Sequence, residues 1–596
     1  MDDNSSSPVS GERRLQTRLL IFLLGLTLAV FAAVSGHEFV NYDDSANIYA
    51  NPHVQSLGWE EIRWMFTDTT YARRYMPLGW LSYAIDCQLF GLTPRAFHLG
   101  NLALHLANVV LLYFLLKRLV ELASLPVKNA EASTAPVWCA AAGTLFWAVH
   151  PLRVEPVAWA SGRIYCLAFF FIALWLLAWL HAQNPALPRR RRTLLYGLSI
   201  LSYLISLLVY PLALFAPAAL FVLEVYPLRR VGAKVSDWWR PAALRLWRGH
   251  LPFLAVGAGM MAVSLGARVV TDLAHKPTTL EDFSLLSRTM QAFYIWAYYA
   301  WKPWAPYDLS PSYTTLHSFD PLGPVFLASA ALVLLLTFAL LALRRRWPGA
   351  LALWLCHLAL LVPVLGLTEY PHSPTDRYSY LHGILWSVGI AGGLRALWDR
   401  QRQACLAGAV ATAASLLFAL LAWQQVMVWS DSITLFRSII SSQSEHPHRA
   451  RFDELLSQCY LRYGLTNEGV ASLQSAIYYE SRRADRHLYD LGVLSRSRVT
   501  LGDIFGDQGR IEDALRQYQA ALQADPDSAS ALVNMGVTLV ALHREAEAMN
   551  CFNEVLRRDA RNVQAHHNLG LLLRKLGREE EALRHVQEEQ RLSASQ

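Results

Sequence analysis

Long uncharged runs, separated by clusters of arginine, constrain this chain more than any other feature. Between residue 19 and about residue 424 such runs of 14 to 22 residues recur, each near the length at which a helix crosses the hydrocarbon of a bilayer. Lipid offers no partner to a backbone N–H or C=O, so the runs are expected as helices. From about His446 onward the runs stop and charge returns. That shift divides the chain into a tail (1–18), a membrane domain (19–430), a linker with an irregular helical repeat (431–494) and a repeat domain (495–596). With 54% hydrophobic residues among 596, one soluble domain is excluded. The expected fold class is all-α, a polytopic membrane bundle of about eleven spans followed by an α-solenoid.

The net charge of +7 does not point to nucleic acid, because the basic residues lie mostly between apolar runs. Arg13, Arg14 and Arg18, Lys117 and Arg118, residues 189–192, Arg229 and Arg230, and residues 344–346 read as cytoplasmic anchors. Threading the chain by these clusters places spans at 19–36, 98–116, 136–149, 164–181, 193–209, 212–226, 251–267, 322–343 and 351–367, then one returning to Arg395 and a last at 406–423. Parity leaves the aromatic segment 283–304 without a crossing, so it is expected to lie in the interface. The tail is then cytoplasmic and the C-terminal repeats extracytoplasmic, in a bacterial inner membrane or its equivalent. Seven cysteines without CxxC or Cys/His spacing indicate neither a zinc site nor a disulfide framework.

This threading brings the unusual polar segments to one extracytoplasmic face: Asp43-Asp44, 150–163, Tyr210-Pro211, 304–313 and 371–378. Adjacent carboxylates suit a general base or metal ligands; a solvated helix-capping pair is the alternative. His150 and Glu155 form a candidate acid–base or metal pair, although a histidine before proline also serves structurally. Asp376-Arg377, a further candidate, reads first as an interfacial ion pair. Arg73, Arg74, Arg95, Arg163, Lys302 and Arg377 stand outside, against the usual bias. A lipid-linked phosphate would explain them, since guanidinium groups bind phosphate oxygens bidentately; anionic headgroups are the alternative.

A 34-residue offset superposes Gly502, Gly536 and Gly570, then Ala514, Ala548 and Ala582. That period marks tetratricopeptide repeats, whose concave face suits an extended polypeptide. An irregular unit precedes them around 463–478.

With these residues in place, the sequence resembles the transmembrane and tetratricopeptide-repeat-containing O-mannosyltransferases and their bacterial relatives, in the glycosyltransferase C superfamily. The resemblance rests on Asn41-Tyr42-Asp43-Asp44, 77–91, 98–116 with Asn101 and His105, 150–163, Asp376-Arg377-Tyr378-Ser379-Tyr380 and Trp429-Ser430-Asp431-Ser432. It implies a membrane glycosyltransferase that takes a sugar, a hexose such as mannose, from polyprenyl or dolichyl phosphate. The sugar would pass with inversion to Ser or Thr of a protein held by the repeats. Asp43 or Asp44 would serve the acceptor hydroxyl, and basic residues would hold the leaving phosphate. No cofactor is fixed; for a divalent cation, magnesium or manganese, Asp44 and Glu155 are the candidate ligands. Four positions depart from the family pattern: Met76 for arginine, Arg153 for histidine, Tyr165 for aspartate and Tyr210 for lysine. Arg73, Arg74 and Arg153 would replace the positive charge. The departures also motivate a second reading, an inactive membrane scaffold recruiting partners through its repeats. A lipid flippase is disfavoured, because the span interiors show almost no charge.

Overall fold

Between the arginine clusters the chain is helical, and among the described residues it contains no strand. The computed structural model describes residues 8–71, 74–124, 134–232, 234–272, 283–313, 319–367, 374–442, 448–482 and 492–594. Two compact units result, Met1–Leu435 and Phe436–Gln596.

In the first unit six described helices are long and apolar enough to cross a membrane: Gly11–Gly36, Pro94–Ala123, Ala160–Ala182, Arg189–Val209, Pro324–Ala342 and Gln401–Val428. A seventh is available if Pro241–Arg248 and Leu251–Ala267, bent by 45°, act as one span. The expected eleven full crossings are therefore not matched by length. The other four expected spans correspond to Ala135–Ala148, Pro217–Val225, Pro348–Leu360 and Ile384–Leu397, with 14, 9, 13 and 14 residues. At 1.5 Å per residue they reach about 14 to 21 Å, short of a bilayer core of about 30 Å.

Burial shows how a short helix fits among long ones. Ala135–Ala148 packs against Pro94–Ala123, Ile384–Leu397 and Gln401–Val428, and 11 of its 14 residues are buried. The helix ends at Ala148, and the chain continues through the buried turn Pro151–Arg153. The aromatic segment forms Leu285–Trp301, packed on Pro324–Ala342. With 10 of its 17 residues buried, it is more enclosed than a helix lying on a lipid surface.

The second unit stacks helical hairpins. Arg449–Arg462 pairs with Thr466–Ser481, Gly492–Asp507 with Ile511–Ala524, Ala529–Ala541 with Glu545–Arg558, and Val563–Lys575 with Glu579–Ser593. The periodic glycines permit close pairing. A Cβ on Gly502 would lie 2.6 Å from the Tyr518 ring and one on Gly536 2.5 Å from the Phe552 ring, each sixteen residues on. Ala514, Ala548 and Ala582 are fully buried, so this small-residue pattern is the packing seam of the repeat.

Candidate active site

The two aspartates after the first span have parted company. Asp44 is fully buried. Its Oδ2 accepts from the Val40 N–H at 2.9 Å, and its Oδ1 accepts from the Ser161 N–H at 2.9 Å and the Ser161 hydroxyl at 2.5 Å. It thereby fastens the first loop to the turn Ala160–Gly162, ahead of helix Arg163–Ala182. Burial pushes its carboxyl up to about 6, with the Ser161 and Val40 donors opposing the rise. Asp43 remains one third exposed and faces the Arg74 guanidinium at 3.3 Å. Of the pair, Asp43 is the carboxylate that an acceptor can reach.

A second ion pair approaches from the other loops. Glu155 is almost fully buried and accepts from the Arg377 N–H at 2.8 Å and from Arg377 Nη1 at 2.7 Å. Burial raises the Glu155 carboxyl, and Arg377 pulls the other way. Burial alone would lower the Arg377 pKa, but Glu155 and tyrosines 165, 378 and 42 outweigh it and hold the charge firmly. The Arg377 guanidinium also lies 5.6 Å from the Trp159 and Tyr378 rings, within cation–π range.

Tyrosines join the two pairs. Tyr165 meets Tyr210 edge to face with centroids 5.2 Å apart and stands 6.2 Å from Tyr378. Arg74 lies in the field of Tyr210, Asp43 and Tyr165. Tyr42 lies in the field of Arg377, Asp43 and Glu155, and its ring packs on Trp159. Asp43, Arg74, Arg377 and Glu155 thus border one aromatic-walled cluster. Two of the four departures, Tyr165 and Tyr210, touch each other there.

Other expected residues are placed elsewhere or are already engaged. Arg163 is a correction: it is ion-paired with Asp86 and donates to Asn101 Oδ1 at 3.0 Å, the Phe97 carbonyl at 2.9 Å and the Ser82 carbonyl at 3.3 Å. Its donors are spent inside the protein, so it ties helices together instead of holding a donor phosphate. Arg153 is a second correction, since it is fully buried, donates to Ser379 Oγ at 3.0 Å and lies 5.6 Å from the Trp147 ring. Burial lowers its pKa to about 9. Lys302 is a third: its ammonium donates to the Tyr307 carbonyl at 2.7 Å and sits 5.3 to 5.6 Å from the rings of Trp301, Tyr307, Tyr313 and Tyr298. Arg73 lies outside the described residues, and Arg95 is exposed.

His150 is buried, with Nδ1 accepting from the Leu152 N–H at 3.1 Å and Nε2 bonded to the Pro303 carbonyl at 2.8 Å. Burial and then Arg153 lower its pKa to about 3, so it is a neutral structural histidine and does not pair with Glu155. Asp376 accepts from Tyr313 at 2.8 Å and Tyr298 at 3.4 Å. Burial, then Glu155, raises its carboxyl to about 7.

The two expected metal ligands do not come together. Asp44 and Glu155 commit their oxygens to Val40, Ser161 and Arg377. Among the described residues no three His, Cys, Asp or Glu side chains are grouped as metal ligands would be. Individual residues not singled out from sequence include Ser161, the partner of Asp44; Asp86, the partner of Arg163; and Trp159, beside Arg377. The polar partners lie 117 and 77 positions away in the chain, and no local pattern announces such contacts.

Comparison with known proteins gives similarities over both units. The TPR repeat family matches residues 502–542 and the tetratricopeptide repeat family residues 533–596. Protein O-mannosyl-transferase F38B6.6 of Caenorhabditis elegans is 23% identical over 542 residues, covering 88% of this chain and 65% of the relative. Protein O-mannosyl-transferase Tmtc3 of Drosophila melanogaster is 25% identical over 525 residues, covering 80% and 51%. Protein O-mannosyl-transferase TMTC4 of Mus musculus is 31% identical over 158 residues, covering 25% and 21%. The chain thus spans about half to two thirds of the length of the two curated relatives matched most extensively. Over most of its length the chain is similar to curated protein O-mannosyl-transferases, and it has a membrane helical unit followed by tetratricopeptide repeats.

Proposed function

We propose that the Asp43 cluster transfers a sugar, a hexose such as mannose, from a polyprenyl or dolichyl phosphate to a Ser or Thr hydroxyl of a polypeptide presented by the repeats. The single observation that carries this reading is the meeting of a reachable carboxylate, Asp43, with two guanidinium groups. Arg74 is paired with Asp43 directly, and Arg377 lies across the tyrosine cluster. Asp43 takes the hydroxyl proton while the acceptor oxygen bonds to the anomeric carbon. The bond from that carbon to the phosphate oxygen breaks, and its electron pair leaves with the phosphate. One base and one displacement give inversion. Arg74 and Arg377 stabilise the charge that grows on the leaving group, the stage at which fixed cations are most effective. Tyr165, Tyr210 and Tyr378 wall the cluster with aromatic surface, which limits water access.

The same tyrosines favour the second reading, a non-catalytic scaffold, because they replace a potential charge pair with an aromatic contact. Transfer from a lipid-phosphate-linked sugar by the full-length protein separates the two, since a scaffold shows none, and Arg74→Gln then tests the donor site. A transferase should show a donor KM raised about tenfold or more, the worth of one charge-assisted contact. Unchanged KM and kcat would remove Arg74 from any donor site.

A further inference from the structure

The cluster described above lies at one end of helices Arg163–Ala182 and Arg189–Val209, where Tyr165 and Tyr210 meet. Helices of this length place their opposite ends about 30 Å away. There a cavity of about 450 Å³ is lined by Arg189, Arg192, Arg230, Arg245, Glu224 and His250, among others.

Charge in this cavity is unbalanced. Glu224 is buried and bound through both oxygens by Arg230, one contact being 2.6 Å from Nε to Oε2. That pair neutralises itself. Arg192 is held by a 3.1 Å bond from Nε to the Ala182 carbonyl, which leaves its terminal nitrogens uncommitted by that bond. Arg189 and Arg245 are exposed and make no ion pair among the described residues. Guanidinium groups lining one cavity favour an anion there.

Two further features border the cavity. His250 is 2% exposed and stands in the wall, its Nε2 3.3 Å from Glu224 Oε1. Helix Arg189–Val209 begins at this cavity with no side-chain cap, so its first N–H groups and the positive end of its dipole are available to an anion. Basic residues that merely anchor a helix at the membrane surface do not require a shared cavity.

We propose that this cavity is a second site, remote from the Asp43 cluster, that binds a phosphate-bearing anion. A phospholipid headgroup and a free phosphate compound offer the same chemistry, and basic pockets between membrane helices suit either. The test uses full-length protein, wild type and R189Q/R192Q/R245Q. Phosphatidylglycerol retention in nanodiscs is read by native mass spectrometry, and thermal stabilisation by inorganic pyrophosphate is read in neutral detergent. Loss of roughly a hundredfold in lipid retention in the variant alone assigns a headgroup, and pyrophosphate stabilisation lost in the variant alone assigns a soluble phosphate. R189K/R192K/R245K should restore binding, which distinguishes lost charge from a disturbed fold. R344Q/R345Q/R346Q removes three charges elsewhere and should leave binding intact. If that control loses binding equally, or if neither probe distinguishes the first variant from wild type, the proposal fails.

Discussion

Some ion pairs of the membrane unit are largely buried, whereas several in the last three hairpins of the repeat unit stand at the surface, three residues apart along a helix. Arg163 with Asp86 and Arg377 with Glu155 exemplify the first group; Arg544 with Glu547 and Arg578 with Glu581 exemplify the second. The contrast shows that an ion pair's geometry says little about its worth until its surroundings are known. A buried charge that loses its partner has nowhere to go, while an exposed one returns to water.

Mutating across this divide should sharpen it, beginning with Arg163. Arg163→Met strands Asp86 and frees the Asn101, Phe97 and Ser82 acceptors, and should cost about 3–5 kcal/mol. Thermal unfolding of the purified protein in detergent reads this; a variant as stable as wild type would mean that Arg163 is not a structural tie.

Gly502→Ala and Gly536→Ala come next, each forcing a Cβ into a ring and costing about 1–3 kcal/mol. Gly570→Ala, whose nearest neighbour is a Val586 methyl at 3.4 Å, should be neutral or slightly stabilising. Equal effects at all three positions would refute the ring contact as the cause.

Asp44→Asn should destabilise by about 1–3 kcal/mol, because an amide cannot accept from all three donors. It should also change the response to pH. Asp44's carboxyl near 6 in the folded protein lies above its usual 3.8. The folded state therefore binds the proton more tightly, and this group's stabilisation is full below about pH 4 and fades as pH rises through about 6. Removing the carboxyl should flatten the stability curve in that window, and an unaltered slope would contradict the assignment. At the smallest end, Arg544→Gln should leave the unfolding temperature unchanged within error; a clear drop would erase the distinction between the two regions.

These contrasts also show which features were legible in the sequence. The repeat unit was readable because its glycines and alanines recur every 34 residues, and a period survives in one dimension. The helical, membrane character of the first unit was readable from its apolar runs. The short span 136–149 was readable too, whereas the run 212–226 holds a helix of only 9 residues, Pro217–Val225, because part of it is spent on the turn Pro211–Ala213. Asp43 and Asp44 are neighbours in sequence, and only the folded loop shows which one Ser161 binds. Arg163 looked available for phosphate because Asp86 is 77 positions away. Lys302 looked available because its ring of aromatics comes from separate parts of the segment 298–313.

The central claim is that the reachable carboxylate, Asp43, and not its buried neighbour, serves the acceptor hydroxyl. Steady-state transfer from a lipid-phosphate-linked sugar to a Ser/Thr peptide, compared between wild type and Asp43→Asn of the full-length protein, tests it most directly. The account predicts kcat lower by about a hundredfold or more, the contribution of a general base, with donor affinity and unfolding temperature preserved. Transfer at the wild-type rate by Asp43→Asn would contradict it.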